Sequence, residues 1–154
     1  MSTLYVMIGI PGSGKSTFAK KLKAEIVSRD EIRFSFLKNE NEPYFKYEDK
    51  VFKKFIQTIQ KCLDKGNDCI ADATHLNVKS RYKLLYNLNL ENVDIIPIIM
   101  NTNLKTCLKR NEKREGLKKV PKETIINMSN NLEFPNEYET NLFNYKGIIT
   151  VKED

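Results

Sequence analysis

The chain has 154 residues, 40% of them hydrophobic and 30% charged, an ordinary globular balance that gives one domain with its own core. Its net charge of +6 suits anionic ligands but is no evidence of nucleic acid by itself. Three scattered cysteines and a single histidine exclude a disulfide framework and a Cys/His zinc site, no apolar run reaches the ~18 residues of a membrane span, and no signal peptide is evident, so a cytoplasmic protein with reduced thiols is expected.

Residues 3–9 are apolar and read as a strand, followed by a glycine-rich turn and a helix from 15 to about 24. Ala24-Glu25-Ile26-Val27 reads as a second strand, ending at Ser28-Arg29-Asp30, with a helical segment to about Lys38. A polar, proline-marked loop at 39–43 leads into a long helix over 44–65, where Tyr44, Tyr47, Val51, Phe55, Ile59 and Cys62 recur at helical spacing. Residues 68–72 form a short third strand, 78–88 a helix, and 93–100 a nearly all-apolar strand that suits a sheet covered on both faces. A helix over 104–115 has a highly charged second half, Pro121 opens a further helix to about Leu132, and 147–151 offers a last strand. Strands alternating with helices predict an α/β fold of three layers: a parallel sheet of four to five strands with helices on both faces. The whole chain, 1–154, is expected to be a single domain, with a helical lid over about 110–121.

Gly9-Ile10-Pro11-Gly12-Ser13-Gly14-Lys15-Ser16 fits G-x-x-x-x-G-K-[ST] at every position. Gly12 and Gly14 permit backbone angles that a side chain would block, so that loop N–H groups turn inward onto phosphate oxygens. The helix starting near Lys15, with Thr17 in its first turn, adds its positive end. Lys15 is placed to reach the β- and γ-phosphates and Ser16 to ligate Mg²⁺. The expected ligand is a nucleoside triphosphate with magnesium; the loop does not say whether water or an alcohol receives the phosphoryl group.

Three other stretches bear on that choice. Asp30, at the carboxyl end of the second strand, is placed to accept a proton from an attacking hydroxyl, and Arg33, one helical turn on, to bind an acceptor phosphate. The plainer alternative is a helix cap at Ser28 or Asp30 with Arg33 solvated. Asp72, closing the third strand, is a Walker-B-like carboxylate for Mg²⁺ or, more simply, a strand-end cap. His75 reads as a polar contact rather than a base. Arg110 and Arg114, four residues apart, would share a helical face in the charged run and close on ATP as part of the lid; the alternative is a solvated helix face.

Taken together, GIPGSGKSTFA, SRDEIRFSF, ADATHLNVKSRY and LKRNEKREGLKKVPKETI resemble the kinase domain of bacteriophage polynucleotide kinases. That domain falls within a wider group of small AAA-type ATP-binding P-loop kinases that includes zeta-toxin-like proteins. The resemblance runs in order from residue 4 to about 135. It implies that Lys15 and Ser16 hold the phosphates and magnesium, Asp30 is the general base, Arg33 the acceptor-phosphate ligand, Asp72 the strand-end carboxylate, and Arg114 the lid arginine on ATP, helped by Arg110. It implies transfer of the ATP γ-phosphoryl group to the 5′-hydroxyl of RNA or DNA. The phosphatase or ligase domain typical of the family is not expected within these 154 residues. A small-molecule kinase acting on a nucleotide-like or sugar-like alcohol, and a non-catalytic nucleotide-binding module, are the alternatives; no protein partner is inferred.

Overall fold

Along β1 (Ser2–Ile8), Leu4 and Val6 turn to one face and Tyr5 and Met7 to the other, the two-residue period of an extended chain. The strand therefore needs a helical layer on each side. In the computed structural model, which describes residues 1–153, β1 lies at the centre of a five-stranded sheet. With β2 (Glu25–Ser28), β3 (Cys69–Asp72), β4 (Val93–Thr102) and β5 (Ile149–Glu153), the order is β2-β3-β1-β4-β5 and every pairing is parallel. The helices are α1 (Lys15–Ala19), α2 (Arg29–Phe36), α3 (Glu48–Asp64), α4 (Val78–Tyr86), α5 (Leu104–Glu112), α6 (Lys122–Asn130) and α7 (Glu137–Phe143).

On one face, Phe55, Ile59 and Cys62 of α3 and Leu84 and Leu85 of α4 cover Leu4, Val6, Cys69 and Ala71. Of the helical stripe read from the sequence, Val51, Phe55, Ile59 and Cys62 lie in α3 and are buried, whereas Tyr44 and Tyr47 precede the helix and are half-buried. On the other face Ala19, with Phe18 and Leu22, covers Met7, Ile70, Ile98 and Met100. A third cluster of Ile10, Cys107 and Ile125 fastens α5 and α6 to the end of β1. The expected three-layer fold is thus present. All three cysteines are free and buried, and among the described residues no helix is long and apolar enough to cross a membrane.

The chain leaves β1 toward β2 on one side and leaves β3 toward β4 on the other. That reversal opens a crevice beyond the carboxyl ends of β1 and β3, the usual ligand position in such sheets.

Several boundaries differ from the sequence reading. The helix expected to reach residue 24 stops at Ala19, because Lys21 N–H bonds to Phe18 O and Leu22 N–H to Ala19 O, three-residue bonds that turn the chain back toward the sheet edge. The long helix begins at Glu48, not at residue 44; turns occupy 44–47. Pro121 stands just before α6 rather than as its first residue. The helix expected over 104–115 ends at Glu112, so Arg110 and Arg114 do not share one helical face; a separate 3₁₀ turn follows at Gly116–Lys118. The seven-residue helix α7 was not anticipated.

Candidate functional site

The loop after β1 is held in shape by its own packing. Gly12 has φ +85°, and a Cβ there would lie 2.6 Å from the Cys107 carbonyl oxygen, so α5 passes too close for any side chain. Gly14 caps α1 at φ 96°. The Ser13 carbonyl accepts from the Thr102 hydroxyl at 2.8 Å, tying the loop to the end of β4. Lys15 Nζ donates to the carbonyls of Gly9 and Ile10 at 2.9 and 3.0 Å, folded over the loop it belongs to. Burial holds its ammonium below the ordinary lysine range, and the carboxylates of Asp72 and Asp30 work against that shift.

Lys15 and Ser16 line a cleft of about 550 Å³ together with Pro11, Gly12, Asp30 and Arg33. Asp72, His75, Arg114 and the Val120–Pro121 pair line it as well. Ser16 Oγ donates to Asp72 Oδ2 at 3.3 Å. Asp72 is buried, which raises its carboxyl above the ordinary range against the pull of Lys15. A hydroxyl and a carboxylate brought together from two elements are hard oxygen donors. They fit Mg²⁺, which keeps several waters and substrate phosphates among its ligands and needs few from the protein. No group of three or more His, Cys, Asp or Glu side chains suited to a metal occurs among the described residues, so an all-protein cage is not the arrangement here.

The capping question at β2 has a geometric answer. Ser28 is the N-cap of α2, its hydroxyl accepting from Glu31 N–H at 3.2 Å, so the cap does not call on Asp30. Asp30 instead pairs with Arg33 and accepts from the Tyr44 hydroxyl at 3.0 Å, both through Oδ1, and its side chain is 62% exposed toward the cleft it lines. Arg33 is buried rather than solvated. Its Nε and one terminal nitrogen bond both oxygens of Glu48 at 3.1 and 2.6 Å, and Arg29 reaches the same carboxylate at 2.7 Å. Burial works against the Arg33 charge, but the Glu48 bonds hold its basicity above the ordinary value. Burial and the Asp30 charge push the Tyr44 phenol up to about 12, so it stays protonated as a donor. Tyr44 and Glu48 carry no signal of their own in the sequence, because they meet Asp30 and Arg33 only through the way α3 folds back on α2.

His75 sits at positive φ, 42°, and is buried. Its Nδ1 lies 2.7 Å from the Met7 carbonyl, which can only accept, so Nδ1 carries a proton. Burial pushes its pKa down to about 4, with Arg29, Arg81 and Lys15 adding to the shift and the Met7 bond opposing it. Under this loop lies the Arg of the DATHLN…R stretch. Arg81 is wholly buried, forked onto Glu139 of α7 at 2.8 and 2.9 Å, and donates its remaining terminal nitrogen to the His75 carbonyl at 2.8 Å. The Tyr145 hydroxyl completes the set on Glu139 at 2.6 Å.

The two arginines of the charged run part company. Arg114 lines the cleft. Arg110 lies outside that lining, bonded to the Gly12 carbonyl at 3.1 Å and to Glu153 at 2.8 Å. Between them Asn111, buried, grips Val120 at both its carbonyl (2.6 Å) and its N–H (2.9 Å), closing the loop that carries Arg114.

With that geometry in view, the chain can be set beside known proteins. A family model described as an AAA domain matches residues 4–135. A protein of Autographa californica nuclear polyhedrosis virus, named as a bifunctional polynucleotide kinase/RNA ligase, is 31% identical over 137 residues; the match covers 79% of this chain and 20% of that protein. This chain thus spans about a fifth of that relative's length. A chain of a solved Pnkp1/Rnl/Hen1 RNA repair complex superposes with a TM-score of 0.71 at 28% identity, covering 94% of this chain and 47% of that one. A sugar kinase structure from Janibacter sp. HTCC2649 superposes with a TM-score of 0.66, covering 99% of this chain and 86% of the other, at 17% identity, a likeness of fold alone.

Proposed function

The chain belongs to the AAA domain family, matched over residues 4–135, and on that premise we propose that it is an ATP- and Mg²⁺-dependent kinase that phosphorylates a 5′-hydroxyl end of RNA or DNA. It has the P-loop kinase fold, shared with polynucleotide kinases and with sugar kinases alike. The observation that carries the proposal is Asp30. Its carboxylate is spared from capping, held by Arg33 and Tyr44 through one oxygen, and lines the same cleft as Lys15 and Ser16. A nucleotide-binding module without transfer has no use for a carboxylate at that place.

In this reading Gly9, Ile10, Pro11, Gly12, Ser13, Gly14 and Thr17 enclose the phosphates, and Lys15 turns from the Gly9 and Ile10 carbonyls onto the transferring group. Ser16 and Asp72 hold Mg²⁺, which when bound neutralises charge on the phosphates. Asp30 takes the proton of the attacking hydroxyl through its second oxygen. Arg114 reaches over the cleft to the charge that develops on the transferring group. Arg33, its donors already shared between Glu48 and Asp30, fixes the base and adds positive charge near the acceptor; Arg110 supports the loop through the Gly12 carbonyl. The polynucleotide acceptor takes its support from the viral relative and the RNA repair complex, and the fold likeness to a sugar kinase is the reason to test it directly.

The test is incubation with γ-labelled ATP and a panel of 5′-hydroxyl DNA, 5′-hydroxyl RNA, nucleosides and sugars. Label on 5′ ends is the expected result. Label confined to sugars overturns the acceptor class, and free phosphate with no labelled acceptor overturns the kinase reading.

A further inference from the structure

Phe45 is an apolar ring with 53% of its surface open to water, and it lines the cleft. Its neighbours fix it in place. Tyr44 stands perpendicular to it with ring centres 4.8 Å apart, and the Arg33 guanidinium lies 5.3 Å from its ring centre. Phe34 meets Tyr44 edge-on at 6.4 Å and lines the cleft as well. The loop between α2 and α3 therefore delivers two adjacent aromatic residues with different attachments. Tyr44 is bonded to Asp30 through its hydroxyl, whereas Phe45 has no polar group and presents its ring to the cleft.

Resting on the kinase reading above, we propose that Phe45 is the subsite for the base of the acceptor's terminal nucleoside. The Tyr44 side chain touches both its ring and the carboxylate that receives the hydroxyl proton. In a nucleoside, only the sugar separates the 5′-hydroxyl from a flat aromatic base, so one group engages Asp30 while the other meets Phe45. Stacking on an aromatic side chain is tolerant of sequence because every base has a π-face, and is worth roughly 1–3 kcal/mol per base, about 5- to 150-fold in affinity. The subsite selects for a base-bearing end and against a bare sugar.

The experiment compares two 5′-hydroxyl oligonucleotides that differ only in whether the first residue carries its base. With the wild-type protein the abasic acceptor should have a KM higher by about tenfold. In Phe45→Ala the KM ratio between the two acceptors should collapse toward one, while the KM for ATP stays unchanged. Phe45→Trp should keep or widen the ratio. Melting curves for both variants should match the wild type, since the ring is exposed. A ratio that persists in Phe45→Ala, or an equal loss on both acceptors, overturns the stacking subsite and makes Phe45 a cover for Arg33. Wild-type protein that labels neither oligonucleotide defeats the kinase reading itself, an outcome visible before any variant is made.

Discussion

Removing the carboxylate of Glu139 should destabilise the fold severely. Glu139 and Arg81 are 1% and 0% exposed at the side chain, so neither charge has water to fall back on. Glu139→Gln keeps the shape and removes the charge. It leaves the Arg81 guanidinium buried and uncompensated, and of the three bonds that Glu139 now accepts, at 2.6, 2.8 and 2.9 Å, it offers a neutral oxygen to one side only. Breaking a buried pair from one side costs about 3–5 kcal/mol. In a chain of this size each kcal/mol moves the melting temperature by about 2–4 °C, so Glu139→Gln should melt about 6–20 °C lower. Arg81→Met paired with Glu139→Leu should recover part of that loss, since no lone charge is then buried. Recovery should be incomplete, because the His75 carbonyl and the Tyr145 hydroxyl each lose a partner. The assay is thermal unfolding by circular dichroism of the wild type, Glu139→Gln, Arg81→Met, Glu139→Leu and the Arg81→Met/Glu139→Leu double variant, at low and high salt, with the pair's coupling read from the cycle that the last three close with the wild type. Being buried, the coupling should hardly respond to salt. Glu139→Gln within about 2 °C of the wild type would refute the reasoning.

Asp30→Asn should keep nucleotide affinity and lose phosphoryl transfer by about 10²- to 10⁴-fold, the usual contribution of a general base; near-normal single-turnover transfer would remove Asp30 from the mechanism. Lys15→Ala should reduce transfer by more than about tenfold through lost charge stabilisation, measured as labelled product per enzyme. His75 supplies a pH dependence. Its pKa is lowered on folding from 6.5 to about 4, so below pH 6.5 the unfolded chain binds the proton and the folded chain does not, and stability falls as pH falls through that window. At pH 5 the loss from this group is about 2 kcal/mol, and His75→Asn, which tolerates the positive φ, should flatten the melting temperature between pH 7 and pH 5; an unchanged slope would show that other groups carry it.

The parts of the molecule visible in the sequence are those set by local chemistry. The glycine loop was legible because spacing and residue type together dictate its backbone. The apolar run of β4 marked a strand covered on both faces, and the stripe of α3 gave its buried side. What local pattern cannot supply is the partner on another element. Glu48 carries no signal in the sequence, one charge inside the helix read over 44–65, yet it holds both Arg29 and Arg33. Arg81 looked like part of a motif with chemistry, yet its guanidinium is spent on Glu139, three helices away in the chain order. Helix α7 escaped because Glu-Tyr-Glu-Thr-Asn-Leu-Phe has no clear apolar stripe; its buried anchor is a carboxylate. The charged run over 104–115 reads as one continuous helix, but Asn111 turns its side chain onto Val120 and the helix stops a residue later.

That grip of Asn111 on Val120 gives the intervening segment a fixed neck. Residues 112–119 form a noose whose two ends are held by one amide side chain, so α5 and α6 must travel together, and the loop can change shape without changing where it is tied. Arg114 is three residues from the knot, which limits its backbone to a tether of about 10 Å. Swinging on that tether needs no hinge in either helix. Lengthening the noose is also cheap, since even doubling a closed loop costs only about 0.6 kcal/mol. This is accordingly the segment in which residues could be inserted or exchanged to alter what lies over the cleft while the sheet, the phosphate loop and the buried Arg81–Glu139 pair stay as they are.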